Sequence, residues 1–429
     1  MKKKYRIILY TSIFLLCVVA SIILVVKKSN SVYEEESKPK VVKHKSMLSM
    51  NLEQTAGSGD YKTVTQSSWP TEGYKFNAEL SKCENGSTLS WDDTKKAVIV
   101  SGNLSDKCYV YFDIYQPTLA EYIKSQYTGT QGENNIYYHD SDLANGAGDN
   151  SYRYAGANPN NFVCFGTIES PCPIDNLYRI IGVFGENYHG ANGKQLVKLI
   201  KYDYMTTDEL GTDGDYSQTY KEWGMDSTYK GTYGDGERIG VYYWNYKATG
   251  SATNTWSTSL LNKTNLNTNF INNIGTTWAN KIATVTWKVG GNTWANIGTK
   301  TSSVAYTNEI TNPVTTNTTD NATTYSAKIG LMYVSDYGFA ASPDAWTLTM
   351  SSYNNTTATN NNWMYMGLYE WTISRGADSS NRAFRVNYGG NVFDNLVNGY
   401  IGVRASFNLE SSVSYVSGSG SMSDPIVIN

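Results

Sequence analysis

Three histidines, five cysteines and a scatter of carboxylates hold the reactive side chains of this 429-residue chain. His44 lies in a Lys/Ser-rich stretch, and His139 and His189 sit in segments rich in Gly, Asn and Asp. No G-x-S-x-G nucleophile elbow accompanies either of the latter two. They read as surface histidines in loops, without a catalytic partner. Glu370, Asp378 and Asp394 are acids of the kind that pair for glycoside hydrolysis, which needs two carboxyl groups facing across one cleft. Asp208, Asp213 and Asp215 crowd one segment, and Asp140, Asp142 and Asp149 another. Neither follows the spacing of a calcium-binding EF-hand loop. Structural calcium stays open, and no other metal or cofactor is expected.

Cysteine chemistry points the same way. Cys17 falls in an apolar run, leaving Cys83, Cys108, Cys164 and Cys172, an even number that suits an oxidising compartment. Of three connectivities, local pairing as Cys83–Cys108 and Cys164–Cys172 is expected, with four buried thiols as the competing reading. No C-x-x-C spacing supports zinc.

The elements around these residues set where they act. Ile7 to Val26 are 20 uncharged residues, a helix of about 30 Å if continuous, which is the length of a membrane span. Lys2, Lys3, Lys4 and Arg6 precede it, and no small-residue cleavage site follows. An uncleaved N-terminal anchor over 1–28 is therefore expected in preference to the alternative, a cleaved signal peptide, with the C-terminal remainder outside the plasma membrane. Without those 28 residues the chain has 29 basic against 38 acidic residues, so it offers no basic stripe for nucleic acid.

Residues 29–60 read as a flexible stalk rich in Lys, Glu and Ser. Residues 61–115 read as a small β-sandwich-like module, 116–150 as a helix and loop linker, and 151–429 as the main domain. Within it, Tyr178–Phe184 and Gln195–Ile200 predict an antiparallel hairpin. Leu266, Phe270 and Ile274 recur every four residues, as do Trp278 and Ile282, predicting two short helices. Residues 302–324, rich in Thr and Asn, predict an exposed loop. Ile401 to Leu409 alternate as a half-buried closing strand. The fold class expected is α+β.

The segments YRIIGVF, W-x-x-S-L at Trp256 to Leu260, KIGLMYVSDYGFAAS, EWTISR and GVRASFNL, in that order, resemble an uncharacterised domain family on cell-surface proteins of gut Firmicutes. That family is similar to the C-type-lectin-like fold, shared with formylglycine-generating enzymes and with diversified receptor proteins. The resemblance covers about 270 residues, with Ala405 standing where the family's closing motif has proline. It implies a C-type-lectin-like domain of antiparallel hairpins with short helices. The enzyme branch uses C-terminal cysteines with copper, and no cysteine follows Cys172 here, so that activity is not expected. The motifs that bind sugar through calcium are missing. Asn158-Pro159-Asn160 is the nearest, and it reads as a turn before Cys164.

In the receptor branch the stretch before the closing strand carries the ligand. By that analogy the candidates are Arg375, Asp378, Arg382, Asn387, Tyr388, Asn391, Phe393, Asp394, Asn395, Asn398 and Tyr400. The preceding run Asn360 to Tyr365 has the same mixture of rigid aromatic rings and adaptable amides, the composition of many binding surfaces. The expectation is a membrane-anchored recognition or adhesion protein for an extracellular glycan or protein ligand. A glycan-acting hydrolase and a self-associating envelope protein are the alternatives.

Overall fold

Val, Ile, Tyr and Thr alternate with polar residues in short runs, and Gly and Asn punctuate them, so short strands and turns dominate the chain. The computed structural model describes residues 48–429 except 66–67, 71–72, 186–188, 190–192, 214–216, 224–227, 235 and 314–321. Two units divide it, Met1–Gln116 and Pro117–Asn429.

In the first unit, Tyr61–Val64, Leu48–Glu53, Cys108–Ile114 and Tyr74–Cys83 form one sheet in that order, and Thr88–Asp92 pairs with Ala97–Ser101. Met50, Leu52, Val110 and Phe112 make the core, with Trp69, Phe76 and Trp91 closing on the Phe112 ring. Leu48–Glu53, expected within the stalk, lies between two neighbours in this sheet. Cys83 and Cys108 face each other across the strand pair and are bonded, and Cys164 is bonded to Cys172.

In the second unit one sheet runs Ile329–Gly330, Ser406–Asn408, Leu196–Lys201, Leu177–Phe184, Tyr152–Tyr154, Ile136–Tyr138. Leu177–Phe184 and Leu196–Lys201 pair antiparallel, and every residue in both is buried. A second sheet runs Gln218–Thr219, Gly240–Tyr242, Ile401–Gly402, Glu370–Gly376, Arg382–Val386, Val392–Leu396. The closing segment leaves this sheet at Gly402 and joins the first at Ser406. Ile401 to Leu409 are all buried, so this segment has no exposed face.

The expected α+β, C-type-lectin-like architecture is corrected by these sheets. The described chain is mostly β, with few and short helices. The four-residue spacing does produce Leu261–Phe270 and Ile271–Ala279, but it holds over that one stretch only. No helix among the described residues is long and apolar enough to cross a membrane, and Ile7 to Val26 lie outside them. The stretch 116–150, read as linker, carries core residues: Leu119, Ile123, Ile136 and His139 are fully buried or nearly so. A capping box between Thr118 and Glu121 starts its helix at Leu119. The loop expected over 302–324 contains two helical turns, Ser302–Tyr306 and Thr307–Thr311, that bury Ser302, Ala305, Tyr306, Glu309 and Ile310.

Between the two sheets Arg404 meets Glu370 in a bidentate pair, Nε to Oε1 and Nη2 to Oε2 at 2.8 Å each. Both side chains are closed to solvent. Removing either partner strands the other charge, so Glu370→Ala and Arg404→Ala should each lower the unfolding free energy by about 3–5 kcal/mol. The Glu370→Leu/Arg404→Met double variant should recover much of that loss. Denaturant unfolding of the three variants checks this.

Candidate functional site

The strand Leu177–Phe184 is apolar apart from Arg179, and the strand is covered on both faces, so this cation must be housed inside the fold. Its guanidinium is clamped between the rings of Phe162 and Trp363, 4.4 and 4.6 Å from their centroids. Nε donates to Asn161 Oδ1 at 2.7 Å, Nη1 to the Trp363 carbonyl at 3.3 Å and Nη2 to the Pro159 carbonyl at 3.1 Å. Asn161 is held in turn by its amide donating to the Ile180 carbonyl at 2.8 Å. Only 6% of Arg179 is exposed. Yet it forms part of the lining of a cleft of about 420 Å³.

Three groups of residues complete that cleft. Phe162, Tyr202, Trp363 and Tyr365 give aromatic walls. Asn158, Asn160 and Asn360 stand exposed at the rim, and none of their side-chain amides is hydrogen-bonded to another described residue. Lys230 lies over the Tyr365 ring at 4.5 Å and donates to the Thr359 carbonyl at 3.1 Å. Tyr365 is fixed by its hydroxyl donating to the Tyr388 carbonyl at 2.5 Å, and Trp363 by its indole N–H donating to the Tyr154 carbonyl at 2.8 Å.

Among the described residues the lining contains two cations and no carboxylate. Burial pulls the Arg179 guanidinium down to about 9, helped by the like charge of Arg404 and opposed by Tyr202, and it remains protonated at neutral pH. Burial also lowers Lys230. No acidic side chain among the described residues pairs with Arg179, whose five N–H donors exceed the three acceptors it has found. Such a site suits a planar sugar face or ring against the aromatics and an anionic group toward the cations.

The residues expected from the C-terminal stretch are placed mostly elsewhere. Arg375 is buried and its Nε donates to the Val289 carbonyl at 2.9 Å. Asp378 is exposed, and Arg382 pairs with Asp394 at 2.9 Å. Asn387 donates to Asn391 across a turn, and Asn395 lies half-buried on the strand Val392–Leu396. Phe393, 43% exposed, packs on Trp294, and the Tyr400 ring lies tilted against Tyr243. Asn398 is exposed. Only Tyr388 reaches the cleft's walls, and it does so through its backbone carbonyl. Its 44% exposed ring stands against Tyr369.

The stretches named for other reasons do meet there: Asn158-Pro159-Asn160 from one end of the domain and Asn360 to Tyr365 from the other. Phe162, Arg179, Tyr202 and Lys230 were missed. A lone arginine inside an otherwise apolar strand was the available clue to Arg179.

The histidines are corrected too. His139 and His189 are 0% and 1% exposed, and burial, with positive neighbours, holds both well below the ordinary histidine value. Glu370 is tied to Arg404 and Asp394 to Arg382, so both acids serve ion pairs. Among the described residues no three His, Cys, Asp or Glu side chains gather as a metal site, and Asp215 lies outside them. Searches against family models, curated proteins and solved structures return no match to this chain.

Asn161 links the cation to the sheet. Asn161→Ala should therefore lower the unfolding free energy by about 1–3 kcal/mol, because Arg179 Nε and the Ile180 carbonyl both lose their partner in a buried setting. Thermal unfolding reads the effect.

Proposed function

We propose that this chain is a membrane-anchored recognition protein that binds an extracellular glycan carrying an acidic group. Residues 7–26 hold it in the plasma membrane, and the second unit faces outward. The ligand sits in the Arg179 cleft, with a sugar face on Trp363 and Tyr365. Its anionic group lies near Arg179 and Lys230, and its hydroxyls meet the rim amides. What carries this reading is one observation: among the described residues, a buried arginine without a carboxylate partner lines an aromatic-walled cleft that contains no acid. The ion pairing of Glu370 and Asp394 favours binding over hydrolysis. The acidic balance outside the anchor, 29 basic against 38 acidic residues, makes a cation-lined cleft a local exception that selects for negative charge.

The test uses the chain without residues 1–28, screened against neutral and acidic glycans, with affinities then measured by calorimetry. Lys230→Ala and Asn360→Ala, both at exposed rim positions, should each weaken an acidic ligand about tenfold, the cost of truncating a contact worth more than 1 kcal/mol. Binding to no glycan, or binding that ignores both substitutions and is lost in Tyr388→Ala or Phe393→Ala, would overturn the cleft as the site.

A further inference from the structure

Far from any solvent, the strand Leu196–Lys201 presents Lys198 to Asp336, in the first turn of the helix Val334–Phe339. Both side chains are 0% exposed, and Lys198 Nζ is 2.5 Å from Asp336 Oδ2. The rings of Tyr333, Trp287 and Phe184 surround the amine at 4.4, 5.2 and 5.9 Å. Asp336 Oδ2 also accepts the Tyr333 backbone N–H at 2.9 Å. Asp336 Oδ1 has no hydrogen-bond partner among the described residues. His189 Nδ1 stands 3.3 Å from Lys198 Nζ and 3.9 Å from Asp336 Oδ1.

An ion pair in this position is expensive, because two charges are desolvated and one carboxylate oxygen is left without a donor. Condensation removes both faults. We propose that Lys198 and Asp336 join in an amide cross-link inside the folded domain. A bond forms between Nζ and Cγ, and the bond between Cγ and Oδ1 breaks. Oδ1 leaves as water with two of the three ammonium protons, and the third remains as the amide N–H. No oxidant or outside reagent takes part.

The atoms that remain are all satisfied. Oδ2 becomes the amide oxygen and keeps the Tyr333 N–H, while the new N–H faces His189 Nδ1. The oxygen that leaves is the one without a donor.

The surroundings supply what the step needs. Burial lowers the Lys198 ammonium, which brings the nucleophilic free amine within reach, although the Asp336 charge opposes that shift. His189 is neutral, so its Nδ1 takes a proton from Nζ and returns it to the departing Oδ1. Burial also raises Glu309 to about 7. Its carboxyl accepts the Val334 and Ser335 N–H groups at 3.0 Å each and the Ser374 hydroxyl, fixing the turn that holds Asp336. Two groups held in contact this way react with effective molarities of about 10⁵–10⁸ M, which outweighs the cost of forming an amide in water. The link would join residues 138 positions apart.

Intact mass of the purified full chain, unreduced, tests this directly. The wild type should be lighter by one water than its sequence with two disulfides, and a protease digest should yield one branched peptide joining the Lys198 and Asp336 segments. Lys198→Arg keeps the charge pair without the amine and should restore the missing water, as should Asp336→Ala. His189→Ala should slow the mass loss after synthesis. A wild type at its unmodified mass overturns the proposal without any variant. A mass loss that persists in Lys198→Arg places the chemistry elsewhere and also overturns it.

Discussion

The two large sheets of the second unit are joined by a chain segment of three residues, Val403 to Ala405, and Arg404 in its middle is the constraint on which the rest depends. A guanidinium cannot be left there without an anion, and Glu370 at the start of the neighbouring strand supplies one in bidentate geometry. The remaining donors then fix backbone: Nη2 to the Met364 carbonyl at 2.7 Å and Nη1 to the Tyr202 carbonyl at 3.4 Å. Those carbonyls belong to Tyr202, on one wall of the cleft, and to the residue between Trp363 and Tyr365, on another. The ion pair thus sets both the crossing between sheets and the spacing of the aromatic walls. It links fold to site through two peptide groups.

Arg179 and Arg404 are buried to similar depth and resolved differently. Arg404 has a carboxylate. Arg179 has two aromatic rings and three neutral acceptors, and the charge of Arg404 works against it. Neutral oxygens and ring faces compensate a cation less completely than a carboxylate does, so an anion in the cleft would gain from the field of Arg179 without first displacing a resident partner. A fold seeking only stability would place an apolar side chain at this position. The proposed acidic ligand would supply the anion that this position lacks among the described residues.

What the sequence made legible was local. The hairpin of Leu177–Phe184 with Leu196–Lys201 follows from strand-length apolar runs around a turn, and the two short helices near Leu266 from a four-residue repeat. Both disulfides join successive cysteines, 25 and 8 residues apart. What stayed hidden depended on contacts between distant segments. Asn158 and Asn360 share a rim because Trp363 bonds back to Tyr154 and Gly156, which spacing along the chain does not encode. His139 and His189 lie in Gly- and Asn-rich segments with the composition of surface loops. Packing nevertheless buries them, His139 against Phe339 and Trp346 and His189 against Phe184 and Tyr333. Composition describes a segment's turns and leaves its depth open.

The buried polar groups also separate by kind. Glu370 with Arg404 and Asp149 with Arg153 are ion pairs in which the guanidinium spreads its charge over several bonds. Lysine lacks that capacity. Its ammonium is compact and strongly hydrated, and it loses more on burial than a guanidinium does. Lys198 is nevertheless fully buried against an acid, between aromatic rings, with a neutral imidazole beside it. Arginine would serve better at a purely electrostatic position. The one property lysine has that arginine lacks is a nucleophilic nitrogen, and the oxygen without a donor on Asp336 is the natural leaving atom. A link between a central strand and a buried helix would resist unfolding where hydrogen bonds alone would be pulled apart in sequence.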